Sequence, residues 1–123
     1  MKFCWTTLMV EDLDKSLKFY TEIVGLSVNR RFKPNAHMEI AFLGNAPTEL
    51  ELIQEARANK SEAKGISIGF MIDGQLEQVI ERLSENGYKC EGEIQQPNPN
   101  IRFVYVKDPD GFSVQFVETV QGN

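Results

Sequence analysis

One stretch of this chain is written twice. Residues 8–26 read LMVEDLDKSLKFYTEIVGL, and residues 70–88 read FMIDGQLEQVIERLSENGY. Each passes from an apolar strand end, through an acidic residue, into an amphipathic helix, a glycine stop and a new strand. A repeat of half the chain length restricts the fold to two similar units that share one sheet or pack as a pair. In the first, Phe3–Val10 reads as a strand and Asp12 as the helix cap. Leu13, Leu17, Tyr20 and Val24 form the apolar stripe of that helix, and Gly25 ends it. Strands follow at Leu26–Phe32, Met38–Leu43 and Glu49–Ile53. Pro34-Asn35 separates the first two and Gly44-Asn45-Ala46-Pro47 the last two.

The order then recurs. Ile66–Ile72 is a strand, Asp73 a cap, and Leu76, Val79, Ile80 and Leu83 a second stripe that ends at Asn86-Gly87. Strands follow at Tyr88–Ile94, Ile101–Val106 and Phe112–Glu118. Asp108-Pro109-Asp110-Gly111 suits a type I turn between the last two, and the Pro- and Asn-rich residues 95–100 read as a connector. The expected architecture is α+β: two tandem βαβββ units, about residues 3–55 and 65–119, in one domain covering 1–123. The polar residues 56–64 are read as a linker or a poorly packed helical turn.

A length of 123 residues with 41% hydrophobic and 25% charged side chains suits one globular domain with a real core. No apolar run is long enough for a membrane helix, and Thr6, Thr7, Glu11 and Asp12 interrupt any leader-like start. A cytoplasmic protein is expected. The net charge of −5 argues against a nucleic-acid surface. Arg30-Arg31 with Lys33 is the only basic cluster, read as a solvated strand end or as a site for an anionic ligand group. Cys4 and Cys90 belong to no CxxC pair and are expected to be reduced and half-buried. His37, the only histidine, is read as a surface residue. No nucleophile elbow, P-loop or dinucleotide fingerprint is present.

The duplicated order, together with VEDLDKSLKFYTEIVGL near the start and VYVKDPDGFSVQFVE near the end, resembles the vicinal oxygen chelate superfamily of glyoxalase, bleomycin-resistance and dioxygenase-like proteins. The resemblance spans nearly the whole chain. It implies a curled mixed sheet, a cavity between two facing half-barrels, homodimers and a small organic ligand. In glyoxalase I-like members, four side chains from the first and fourth strands of each unit hold a divalent metal. That metal acts as a Lewis acid on neighbouring substrate oxygens. Carried onto this chain, the four positions fall on Trp5, Glu51, near Ser67, and Gln115. The basic residue used for glutathione falls near Met9. Only Glu51 is a good ligand, so the resemblance implies a scaffold without its chelating set.

Strand alternation places Trp5, Thr7 and Met9 on one face of the first strand, with Glu49, Glu51 and Ile53 on one face of the fourth. Ser113, Gln115 and Val117 share a face of the last strand. The more apolar faces are expected to meet the helices, and the mixed faces to line a ligand site. Glu51 is read either as a solvent-facing strand residue or as a polar site group able to serve as general base. Trp5 is either a packing residue or a stacking platform. Thr7, Met9, Glu49, Ser67 and Gln115 are the remaining candidate ligand contacts. The expected function is metal-independent binding of a small molecule, with a divalent ion left open. The rival is a glyoxalase I-like lyase, or another lyase or isomerase, acting through Glu51 or through a shifted metal site at His37, Glu39, Glu49 or Glu51. A ligand-free scaffold is the third reading.

Overall fold

The computed structural model describes residues 1–57 and 64–119, so residues 58–63 of the expected linker lie outside the described residues. The chain divides into two compact units, Met1–Glu62 and Ala63–Asn123. In the first, β1 (Trp5–Met9) leads into α1 (Leu13–Lys18), which continues as one π-helical turn, Phe19–Ile23. Three strands follow: β2 (Val28–Asn35), β3 (Met38–Leu43) and β4 (Glu49–Glu55). The second unit repeats this as β5 (Ser67–Met71), α2 (Leu76–Glu85), β6 (Cys90–Asn98), β7 (Ile101–Lys107) and β8 (Ser113–Thr119). Each unit builds a four-stranded mixed sheet, in the orders β1-β4-β3-β2 and β5-β8-β7-β6. The first and last strands of each unit pair in parallel, and the other neighbours are antiparallel. The α+β reading with two tandem units therefore holds.

The faces sort as alternation predicts. Leu8, Leu50, Leu52, Ala41 and Leu43 are buried on the side that receives Leu13, Leu17 and Tyr20 of the helix. Val104, Val106, Val114 and Phe116 do the same beneath Leu76, Val79 and Leu83. Asp12 caps α1, its carboxylate accepting the Lys15 N–H at 3.2 Å. Gly25, with φ +90°, ends the π-helical turn in a conformation that other residues resist. The stripe differs from expectation in its last turn. Val24 N–H bonds the Phe19 carbonyl five residues back, at 3.2 Å. That wider turn buries Phe19 and Ile23 and leaves Val24 half-buried.

Three further expectations are corrected. Asp73 does not cap α2; Gln75 does, from an extended backbone, its N–H facing Gln78 Oε1 at 3.5 Å. The second unit has one more residue here than the first, and Gly74 absorbs it at φ +96°. Pro34-Asn35 does not separate strands, and residues 95–98 are not merely a connector. Both edge strands run on through Pro34 and Pro97, where a missing N–H is tolerated. Each then turns over two residues. Asn35 Oδ1 accepts the His37 N–H and Asn98 Oδ1 accepts the Asn100 N–H, both at 2.8 Å. The Asp108 turn forms as expected. Its carboxylate takes the N–H groups of Asp110 and Phe112 at 2.9 Å each, and its carbonyl takes that of Gly111 at 3.0 Å.

Candidate functional site

The helix-free face of the first sheet collects five of the seven candidate residues. Trp5, Thr7 and Met9 pair in register with Glu49, Glu51 and Ile53, so all stand on one side of the β1–β4 ladder. Continuing across the sheet, Glu51 pairs with Phe42, and Phe42 with Arg30. One row therefore reads Arg30, Phe42, Glu51, Thr7 from edge to edge. The Thr7 hydroxyl donates to Glu51 Oε1 at 2.5 Å, and Glu51 is only 9% exposed. A buried carboxylate needs such a donor, because an unpaired one would lose its hydration without return. Among the described residues its second oxygen takes no hydrogen bond. Glu49, at the end of the ladder, instead accepts from the Asn29 side chain at 3.0 Å.

An aromatic floor surrounds that carboxylate. The Trp5 ring meets Phe42 edge-on at 5.2 Å, and Phe32 lies nearly parallel to Phe42 at 6.4 Å. The Arg30 guanidinium sits 4.1 Å from the Phe42 centroid. Phe42 is thereby buried, whereas Trp5 and Phe32 keep 46% and 40% of their surface exposed. Phe32 and Phe42 were not singled out as site residues from the sequence, and Arg30 was read only within the basic cluster with Arg31 and Lys33, as a solvated strand end or a site for an anionic ligand group, not as a neighbour of Glu51. The signal was the register of the β3–β4 hairpin, which its five-residue connection does not disclose.

Ser67 and Gln115 belong to the second unit, on the corresponding face of its sheet. Ser67 pairs with Ser113 and Gly69 with Gln115. The row equivalent to that of the first unit reads Glu91, Tyr105, Gln115, Gly69. A methyl group built on Gly69 would lie 3.5 Å from Gln115 Oε1, so the carboxamide rests over the bare glycine. Phe103 and Tyr105 meet edge-on at 5.8 Å. Lys107 Nζ donates to Ser113 at 2.8 Å and stands 3.6 Å from Glu91.

The four positions that the resemblance assigns to metal ligands do not fit a divalent ion. The Trp5 indole N–H is a donor with no lone pair to offer, Ser67 is a neutral hydroxyl, and Gln115 offers only an uncharged amide oxygen. Glu51 is the one anionic donor, and one of its oxygens already serves Thr7. A shifted site fares no better. His37 lies in the β2–β3 turn, and Glu39 is tied to Arg31 at 2.9 Å on the opposite face from Glu51. Among the described residues no three His, Cys, Asp or Glu side chains gather into a group able to hold a metal. Cys4 is exposed, not half-buried as expected. Cys90 is half-buried, and burial pushes its thiol pKa up.

The helix-side polar contacts hold the scaffold instead. Gln54 on β4 accepts the Leu13 N–H at 2.6 Å, and Glu118 on β8 accepts the Leu76 N–H at 2.8 Å. Each last strand thus satisfies the first free amide of its unit's helix. Arg102 bridges Glu118 and Glu77 at 2.7 and 2.8 Å. Its hydrogen bonds hold Glu77 down at about 2 and lower Glu118, while both carboxylates raise Arg102. In the first unit Arg31 joins Asp14 at 2.7 Å and Glu39, and those bonds raise its own pKa.

Comparison with known proteins gives a consistent picture. Residues 2–116 match the profile of the Glyoxalase/Bleomycin resistance protein/Dioxygenase superfamily. The chain is 30% identical to the uncharacterised protein YwbC of Bacillus subtilis, over 92% of this chain and 94% of that one. It is 29% identical to the lactoylglutathione lyase of Salmonella typhimurium, over 96% and 93%. The fold superposes on the trypanothione-dependent glyoxalase I of Leishmania major with a TM-score of 0.79 at 25% identity, covering 96% of this chain and 86% of that one. A glyoxalase family protein of Bacillus cereus, 18% identical, shares the fold with a TM-score of 0.84 over 98% and 95%. Among the described residues no helix is long and apolar enough to cross a membrane.

Proposed function

The chain belongs to the Glyoxalase/Bleomycin resistance protein/Dioxygenase superfamily, and from that premise we propose that it is a glyoxalase-like protein that binds a small organic molecule without a metal ion. We place it in the cytoplasm, as the sequence suggests, and as a homodimer, the habit its family resemblance implies. The observation that carries the reading is the replacement of a chelating set by an aromatic floor. Trp5, Phe42 and Phe32 offer ring faces to an apolar ligand body, and Thr7 holds the single carboxylate of Glu51 in place. Such a face suits a ligand with a flat apolar part and few polar groups. Met9 and Glu49 flank it, and Ser67 and Gln115 are proposed as ligand contacts on the second unit's own sheet.

Native mass spectrometry of freshly purified protein tests this. The expected spectrum shows a dimer that carries an organic adduct and no stoichiometric metal. A divalent ion at one per chain, with no adduct, would reject the proposal.

A second reading is favoured by the named lactoylglutathione lyases, which match at about the same identity across nearly the whole chain. Here Glu51 would act as a general base, taking a proton from a substrate carbon held within about 3 Å of its unshared oxygen. Turnover of the hemithioacetal of methylglyoxal and glutathione, lost in Glu51→Gln, would establish it. No turnover with or without added nickel or zinc would remove it.

A further inference from the structure

The row across the first sheet ends in a cation, Arg30, that no described residue neutralises. Arg31 points to the helix side, where Asp14 and Glu39 engage it at 2.7 and 2.9 Å. Arg30 faces the other way and forms no ion pair with any described residue. Its guanidinium lies against the Phe42 ring at 4.1 Å. Contact with a ring face leaves the planar fork of N–H donors available, and that fork matches a carboxylate. Neighbouring strands stand about 4.8 Å apart, so Arg30 and Glu51, two strands apart, rise from backbones about 10 Å apart, with Phe42 between them. The second unit offers no such arrangement. Its equivalent row has Glu91 in place of Arg30 and neutral Gln115 in place of Glu51.

We propose that the row Arg30–Phe42–Glu51 recognises a small amphoteric molecule, with a carboxylate at Arg30, a flat apolar body over Phe42 and Trp5, and a protonated amine at Glu51. The proposal rests on reading this face as the ligand site and names the class of ligand. Opposite charges held apart across a ring select for both ends of one molecule. Either end alone would leave one charged group facing it without a partner.

Three probes test the row: 4-(aminomethyl)benzoate, and its two halves 4-methylbenzoate and 4-methylbenzylamine. Trp5 is the only tryptophan, so its fluorescence reports on this face. The two-ended probe is expected to bind at least about tenfold more tightly than either half. Arg30→Gln should weaken both carboxylate probes about 10- to 100-fold and leave 4-methylbenzylamine unchanged. Glu51→Gln, which keeps an acceptor for Thr7, should weaken only the two amine probes. Arg30 is exposed, so its variant is expected to fold, with an unchanged urea midpoint as the control. Carboxylate probes indifferent to Arg30→Gln, equal binding of all three probes, or no response of Trp5 to any of them would each overturn the assignment. The adduct seen by mass spectrometry is an independent reading. An adduct on the purified chain together with an inert Arg30 would sink this inference and leave small-molecule binding standing.

Discussion

The two units share a backbone plan and differ in what each places on its helix-free face. At equivalent positions the first unit carries Arg30, Phe42, Glu51 and Thr7, and the second carries Glu91, Tyr105, Gln115 and Gly69. On the helix side they solve one problem with different chemistry. The free amide at the start of each helix is taken by the last strand, from neutral Gln54 in one unit and from Glu118 in the other. Asp14 and Glu77 hold equivalent places in the first helical turn. One is reached by an arginine on the edge strand β2, the other by Arg102 on β7. Packing and backbone satisfaction tolerate several residue choices so long as each group finds a partner. The rows on the helix-free faces differ in charge as well as in residue, and the first of them is the one proposed to meet a ligand.

The comparison can be broken at several depths. Leu52 and Phe116 are equivalent core residues on β4 and β8, 0% and 2% exposed. Leu52→Ala should cost about 2–5 kcal/mol and Phe116→Ala about 3–5 kcal/mol, read from urea denaturation. A near-neutral result at either position would show that the two helix-facing layers are not built alike. Removing the strand-borne caps should matter less. Gln54→Ala should cost about 0.5–2 kcal/mol, and Glu118→Ala more than that, because it also strips Arg102 of a charged partner. Equal costs would contradict the distinction between a neutral and a charged cap.

Acid should expose the same difference. Glu77 and Glu118 are held below the ordinary carboxylate value of 4.5, Glu77 at about 2. A carboxylate with a lowered folded-state pKa stabilises the fold above its unfolded value and loses that contribution as pH falls through the folded one. Wild-type stability should therefore drop between about pH 4.5 and 2. Arg102→Met should flatten that part of the profile, and added salt should shrink it. An unchanged profile in Arg102→Met would mean that the pair contributes nothing to folding. Gly69→Ala should have the smallest effect. Its new methyl group meets Gln115 at an ordinary 3.5 Å and the backbone there is not left-handed. A gain of up to about 1 kcal/mol is expected, from a less flexible unfolded chain; a clear loss would place the carboxamide closer to the glycine than described.

Much of this was legible in the sequence. The repeat gave the element order, Asp12, Gly25 and the Asp108 turn marked their boundaries, and alternation sorted the faces of β1, β4 and β8. Boundaries slipped where tertiary geometry intervened. Pro34 and Pro97 read as breaks because their edge position was invisible. Asp73 read as a cap because nothing announced that Gly74 would carry an extra residue. Within the site, Thr7 and Glu51 could be put on one face, but not in the same row, because the pairing of β1 with β4 joins segments more than forty residues apart. For the same reason Phe42 and Arg30 went unread as neighbours of Glu51.

The most direct test is a calorimetric titration of chelator-treated protein with nickel or zinc, run beside Glu51→Gln. Trp5, Ser67 and Gln115 cannot complete a coordination sphere around Glu51, so no saturating heat is expected from either protein. A saturable transition at one ion per chain, abolished in Glu51→Gln, would contradict the account.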